Sequence, residues 1–137
     1  MARRRTPPAT PPRLILDSGA VIALSRGDAR ARAFLHRAVT LGTEVLIPAV
    51  VLTETVRGTA RDATVNRVIG AVDSVVHVDE SIGRAAGALL GAAGMKQAVD
   101  ALVIAVAAAG GGRVLTSDPD DLSRLASHVK GVTIHDV

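Results

Sequence analysis

Leu14-Ile15-Leu16-Asp17-Ser18 is the stretch on which the reading of this chain turns. Three consecutive aliphatic residues suit a strand buried on both faces, the kind found in parallel sheets covered by helices. An acid follows at once. Open parallel sheets bind ligands beyond the carboxyl ends of their strands, so Asp17 falls where such a fold builds its sites. The alternative is a turn acid beside Ser18, itself a good helix N-cap.

Four more short runs, β-branched or rich in Leu, lie further along: Glu44–Ile47, Val75–Val78, Arg113–Thr116 and Val132–His135. Helical patterns separate them. Asp28–Gly42 places Ala31, Phe34, Leu35, Ala38 and Leu41 on one face. Val50–Arg57 and Ala63–Val72 follow, with Gly58 as a stop between them, and then Glu80–Ala93, ending near Gly94. Ala98–Ala109 runs into Gly110-Gly111-Gly112, read as a helix stop, and Asp120–Ser127 is a short last helix. Strands alternating with helices of this length predict βαβ units and an α/β protein with a parallel sheet. No internal repeat or second domain is evident.

The length of 137 residues suits one domain. With 48% hydrophobic residues and Phe34 as the lone aromatic, the core must be Ala, Val, Leu and Ile. The absence of Cys excludes a disulfide scaffold, a thiolate zinc site, an iron–sulfur cluster and a cysteine nucleophile. The lack of Trp and Tyr excludes an aromatic stacking platform for bases. The four His do not cluster in the sequence and read as structural or solvated. Arg outnumbers Lys 14 to 2, which favours bidentate contacts with phosphate or carboxylate, though a GC-rich genome leaves the same bias. The net charge of +3 lies wholly in residues 1–12, which hold three Arg, four Pro and no acid and read as a flexible basic tail. Residues 13–137 carry 13 basic and 13 acidic groups. The longest apolar runs are too short to span a bilayer, and no apolar segment follows Arg3–Arg5. No membrane anchor or signal peptide is expected, and a cytoplasmic location fits.

Three further acids bear on function. Glu54 sits among apolar residues in Pro48-Ala49-Val50-Val51-Leu52-Thr53-Glu54 and is either a site acid or the partner of Arg57 at i+3. Asp100 lies in the first turn of an almost wholly apolar helix, either as a helix-dipole residue or facing the sheet rim. Asp118 follows the fourth strand in Thr116-Ser117-Asp118-Pro119-Asp120-Asp121, where an N-cap is the competing reading. Asp120 and Asp121 read as helix-dipole acids. In a doubly wound sheet, strand one is central and strand four is its neighbour, so Asp17, Asp100 and Asp118 meet at one rim and Glu54 leans in. Four such carboxylates repel unless a cation is present. Oxygen-only ligands suit Mg²⁺ or Mn²⁺, and a divalent ion held this way suits phosphate chemistry.

At these residues the chain resembles the PIN-domain nucleases, most closely the VapC-type toxins of bacterial toxin–antitoxin pairs. The resemblance spans about Arg13–Val137. It rests on Leu16-Asp17-Ser18-Gly19-Ala20-Val21-Ile22-Ala23-Leu24, on Ile47-Pro48-Ala49 leading to Thr53-Glu54 and Arg57-Gly58, on Asp100-Ala101-Leu102-Val103-Ile104-Ala105, and on Leu115-Thr116-Ser117-Asp118-Pro119-Asp120-Asp121-Leu122. It implies a three-layer α/β/α domain over 13–137 with a five-stranded parallel sheet in the order 3-2-1-4-5. It also implies endoribonuclease activity dependent on Mg²⁺ or Mn²⁺, a small antitoxin as partner and a homodimer. The family's acidic quartet maps onto Asp17, Glu54, Asp100 and Asp118, and its hydroxyl near the last acid onto Thr116.

The expected reaction is hydrolysis of an RNA phosphodiester by a metal-activated water. Asp17, Asp100 and Asp118 hold the ion, and Glu54 completes its shell or handles the water. Ser18 and Thr116 are candidate supporting hydroxyls, and Arg57 either touches substrate phosphate or neutralises Glu54. The competing reading is a PIN-like module that binds RNA or protein without cutting it. A receiver-like signalling domain is disfavoured because Lys130 precedes the last strand instead of following it. A dinucleotide-binding domain is disfavoured because no Gly-x-Gly-x-x-Gly follows strand one.

Overall fold

The computed structural model describes residues 11–137. The basic tail expected over residues 1–12 therefore lies, for residues 1–10, outside the described residues. From Pro12 onward the chain is tied to the sheet, because the Pro12 carbonyl accepts from the Glu44 N–H at 2.8 Å.

The expected strands form, and they pair in parallel. They are β1 (Arg13–Leu16), β2 (Glu44–Pro48), β3 (Ser74–Val76), β4 (Gly112–Thr116) and β5 (Val132–Asp136), in the order β3-β2-β1-β4-β5. The helices are α1 (Ser18–Ser25), α2 (Ala29–Thr40), α3 (Leu52–Thr55), α4 (Ala63–Ala71), α5 (Glu80–Ala93), α6 (Ala98–Gly110) and α7 (Pro119–Ala126). The helices form two packed groups, α1 with α2 and α4, and α5 with α6 and α7, which the right-handed rule for parallel crossovers assigns to opposite faces of the sheet.

The core is aliphatic, as the composition requires. Leu14, Ile15 and Leu16 of β1 are wholly buried, as are Val114 and Leu115 of β4. Helix α6 buries every residue from Val103 to Ala107, which makes it the central helix of its layer. Truncating the wholly buried Ile104 to Ala is expected to cost about 2–5 kcal/mol. Arg13 closes the carbonyl end of α6, its guanidinium donating to Gly111 O at 3.1 Å and to Val106 O at 3.4 Å. Among the described residues no single helix is long and apolar enough to cross a membrane.

Most bounds fall within two residues of expectation, the helix α1 over Ser18–Ser25 is not among the expected elements, and two elements differ in a way that bears on the site. The third strand covers Ser74–Val76 instead of Val75–Val78, because Val76 already pairs with Pro48, the last residue of β2. His77 and Val78 have no partner strand to join. The helix expected over Val50–Arg57 is a 3-10 turn at Ala49–Val51 followed by the single turn α3. Val56 is extended, and the next N–H groups, those of Arg57 and Gly58, go to the Asp62 carboxylate instead of continuing a helix.

Candidate active site

Parallel register builds the centre of the site. Leu16 of β1 pairs with Leu115 of β4, and the Asp17 N–H donates to Leu115 O at 3.0 Å. The next residues out, Asp17 and Thr116, are thereby neighbours at the carboxyl edge. Thr116 Oγ1 donates to Asp17 Oδ2 at 2.9 Å and accepts from the Asp118 N–H at 3.1 Å. One wholly buried hydroxyl thus ties the first acid to the backbone of the last.

Asp17 and Asp118 both occupy N-cap positions, of α1 and α7, yet neither carboxylate makes a capping bond. The capping reading of these acids therefore fails on geometry. Asp17 is buried, and its Oδ1 has no hydrogen-bond partner. A buried carboxylate oxygen without a donor carries a desolvation cost that a cation can relieve. Ser18, the first residue of α1, turns its hydroxyl to Glu54 Oε1. Glu54 is exposed, not buried among the apolar residues that surround it in sequence. Arg57 does not pair with it: the Arg57 guanidinium donates to Thr53 O at 2.9 Å and Val56 O at 3.0 Å.

Glycine sets the approach of α1 to the β4 end. A Cβ at Gly19 would overlap the Ser117 hydroxyl and stand 2.8 Å from Ser117 N. Only a residue without a side chain lets α1 lie close enough for Asp17 and Asp118 to share one rim.

Asp100 sits half-buried in the first turn of α6. Burial pushes its carboxyl up to about 6, with the charges of Asp17, Asp121, Glu54 and Asp118 adding to the effect. Burial also raises Asp17, against the nearby Ser18 N–H dipole and the Thr116 hydrogen bond, with Glu54 and Asp118 adding to the rise. The four expected acids thus share one electrostatic neighbourhood. Asp121 belongs to it too, although sequence reading assigned it to the dipole of α7. It stands one helical turn beyond Asp118, and that i,i+3 spacing could have revealed it.

The donor set is all oxygen, and together with the unpartnered Asp17 Oδ1 it fits a hard divalent cation. Among the described residues no three acids or histidines converge tightly enough, as positioned, to enclose an ion. The carboxylates line the rim without meeting at one point.

A parallel α/β sheet with acids gathered at the carboxyl edge of its central strands places them where open sheets of this class bind their ligands. The PIN domain model matches residues 14–127, and the chain belongs to the PIN-domain family. PIN domains are generally nucleases that depend on divalent cations. No curated protein is matched by the sequence. Among solved structures, the chain is similar to VapBC-5 of Mycobacterium tuberculosis, a member of the VapBC family of toxin–antitoxin systems. That likeness has 26% identity and a TM-score of 0.63, covering 93% of this chain and 100% of the other. It is also similar to VapBC2 of Rickettsia felis bound to a DNA fragment from its promoter, with 12% identity and a TM-score of 0.73 over 91% of this chain and 98% of the other. FitAcB of Neisseria gonorrhoeae is similar at 14% identity and a TM-score of 0.62, over 90% of this chain and 96% of the other.

Proposed function

We propose that this protein is the endoribonuclease toxin of a toxin–antitoxin pair, hydrolysing RNA phosphodiesters with Mg²⁺ or Mn²⁺. The observation that carries the reading is Asp17: a buried carboxylate with one oxygen held by Thr116 and the other left without a donor. Asp17, Asp100 and Asp118 would hold the cation, which when bound supplies Lewis acidity toward a phosphate oxygen and toward water. Thr116 orients Asp17 and, by donating to it, favours its ionised form against the opposing effect of burial. Glu54, steadied by Ser18, is the exposed acid suited to accept a proton from the attacking water.

Nine of the 13 acids in residues 13–137 lie outside the quartet and face 13 cations, so cation binding at the quartet leaves a basic surface for RNA. The VapBC and FitAB complexes among the structural neighbours support a small antitoxin as partner. A homodimer and a cytoplasmic location accompany this reading.

Digestion of total RNA with Mg²⁺ or Mn²⁺ tests it. Cleavage by the wild type, lost in chelator and in a folded Asp100→Asn variant, is the expected result. Cleavage that survives both changes overturns the assignment. RNA binding without cleavage by the wild type favours a silent binding module.

A further inference from the structure

The segment between α3 and α4 is built around one side chain. Asp62 is only 6% exposed and aims its carboxylate back at the main chain. Oδ1 accepts from the Arg57 N–H at 3.0 Å, and Oδ2 accepts from Gly58 at 2.7 Å, Arg57 at 3.1 Å and Thr59 at 3.3 Å. Thr59 completes the arrangement by accepting from the Arg61 N–H on its hydroxyl at 3.3 Å. Gly58 makes the turn possible at φ +77°. The Arg57 N–H first, then those of Gly58 and Thr59, hold the Asp62 carboxyl below its usual range against the effect of burial.

The consequence concerns charge. Asp62 directs its hydrogen bonds to backbone dipoles and makes no contact with a guanidinium. The Arg57 side chain donates only to the carbonyls of Thr53 and Val56, and the Arg61 side chain is exposed. Among the described residues the ion pair within 4 Å is Arg84–Glu80. The Arg57 charge helps to lower the Asp62 carboxyl from beyond that distance, the smallest of the causes acting on it, so both guanidiniums keep their donors free of a direct carboxylate partner. Arg57, Thr59, Ala60, Arg61 and Asp62 line an open hollow of about 480 Å³, which begins three residues after Glu54. Two guanidiniums and a hydroxyl on a loop held in one shape suit the oxygens of a phosphodiester. A pre-formed loop also lowers the ordering cost of binding.

We infer that this loop is the phosphate-gripping flank of the site. Arg57 and Arg61 contact backbone phosphates of single-stranded RNA beside the scissile bond, and Asp62 is the positioning residue that presents them. The inference rests on the ribonuclease reading above.

The test uses the full chain and a single-stranded RNA oligonucleotide that the wild type cleaves. KM and kcat are measured with Mn²⁺, and binding is measured in chelator across a salt series. The double variant Arg57→Ala/Arg61→Ala is expected to raise KM about 10–100-fold with kcat changed far less. The slope of log affinity against log salt is expected to fall by about 0.7 per arginine lost. Asp62→Ala is the sharper arm. By charge alone, deleting an acid beside RNA tightens binding, whereas loss of the positioning anion weakens it and lowers the salt slope. Asp62→Asn keeps an acceptor oxygen and is expected to recover part of the loss. Arg61→Glu, an exposed change that leaves the Asp62 bonds in place, repeats the KM effect should Asp62→Ala fail to fold.

Unchanged KM and salt slope in the double variant, with an active wild type, overturn the inference. So does tighter binding by a folded Asp62→Ala, or a defect confined to binding of a protein partner. A wild type that neither cleaves nor binds RNA overturns the ribonuclease reading itself, and this inference with it.

Discussion

Thr116 and Asp17 stand 99 residues apart in the chain, and the hydroxyl of one donates to the carboxylate of the other at 2.9 Å. The bond is a product of sheet register: β1 and β4 pair up to Leu16 and Leu115, so the next residue of each strand must meet at the edge. The same hydroxyl accepts the Asp118 N–H, so one side chain sets the spacing between two site acids.

Replacing Thr116 by Val keeps the shape and removes both bonds. Asp17 Oδ2 loses its donor and the Asp118 N–H its acceptor. Such partners of metal-binding carboxylates typically carry about 10–100-fold in metal affinity or activity. Cleavage by Thr116→Val is expected to fall in that range, with about 1–3 kcal/mol lost in denaturant unfolding. Thr116→Ser keeps the hydroxyl and is expected to restore most of both.

Gly19→Ala is expected to damage the site from a distance. The new methyl overlaps Ser117, so α1 must move away from the β4 end and carry Asp17 with it. A loss of about 1–3 kcal/mol in thermal unfolding should accompany a drop in cleavage. Adding Ser117→Ala relieves only part of the clash, because Ser117 N remains 2.8 Å from the added carbon.

Asp100 makes stability depend on pH and on cations. Its carboxyl lies at about 6 in the folded chain against an ordinary 3.8, so the folded state binds the extra proton. The stability this contributes is fully present below about pH 3.8 and is lost as pH rises through about 6. Asp100 is half-buried, so solvent screening reduces the effect to about 1 kcal/mol. In chelator, the melting temperature is expected to be a few degrees lower at pH 7.5 than at pH 5, as followed by circular dichroism. Mg²⁺ or Mn²⁺ at pH 7.5 is expected to reverse the loss, and Asp100→Asn to reduce the dependence, leaving the contributions of Asp17, whose carboxyl is also raised, and of His135, whose imidazole is lowered.

Asp121→Asn tests the acid that sequence reading left out of the site. Removing its charge takes away the second-ranked repulsion among those acting on Asp100, after that of Asp17. The pH midpoint of cleavage at limiting metal is expected to move downward relative to the wild type. An unchanged midpoint in a folded variant shows that Asp121 lies outside the electrostatic reach of the reaction.

The architecture was readable because its determinants are local. Short aliphatic runs such as Leu14–Leu16 and an apolar helix such as Ala98–Gly110 state their burial in their own composition, and alternation of the two types leads to a parallel sheet. The acids at strand and helix ends were readable for the same reason: Asp17, Asp100 and Asp118 lie beside elements whose ends are marked in sequence. Local sequence misled where a distant partner intervened. Val50–Arg57 has the pattern of a helix, but Asp62 captures the next N–H groups and cuts it to one turn, which separates Arg57 from Glu54.

Sequence by itself determined that this chain is a cysteine-free, aliphatic-cored α/β protein with acids after its strands. The tertiary structure alone decided which oxygens are satisfied. Thr116 serves Asp17, Ser18 serves Glu54, Asp62 serves its own loop, and Asp17 Oδ1 is left buried without a donor. The reason is physical. Backbone propensity and apolar patterning act over a few residues, whereas desolvation and hydrogen-bond satisfaction depend on groups brought together only after the chain has closed on itself.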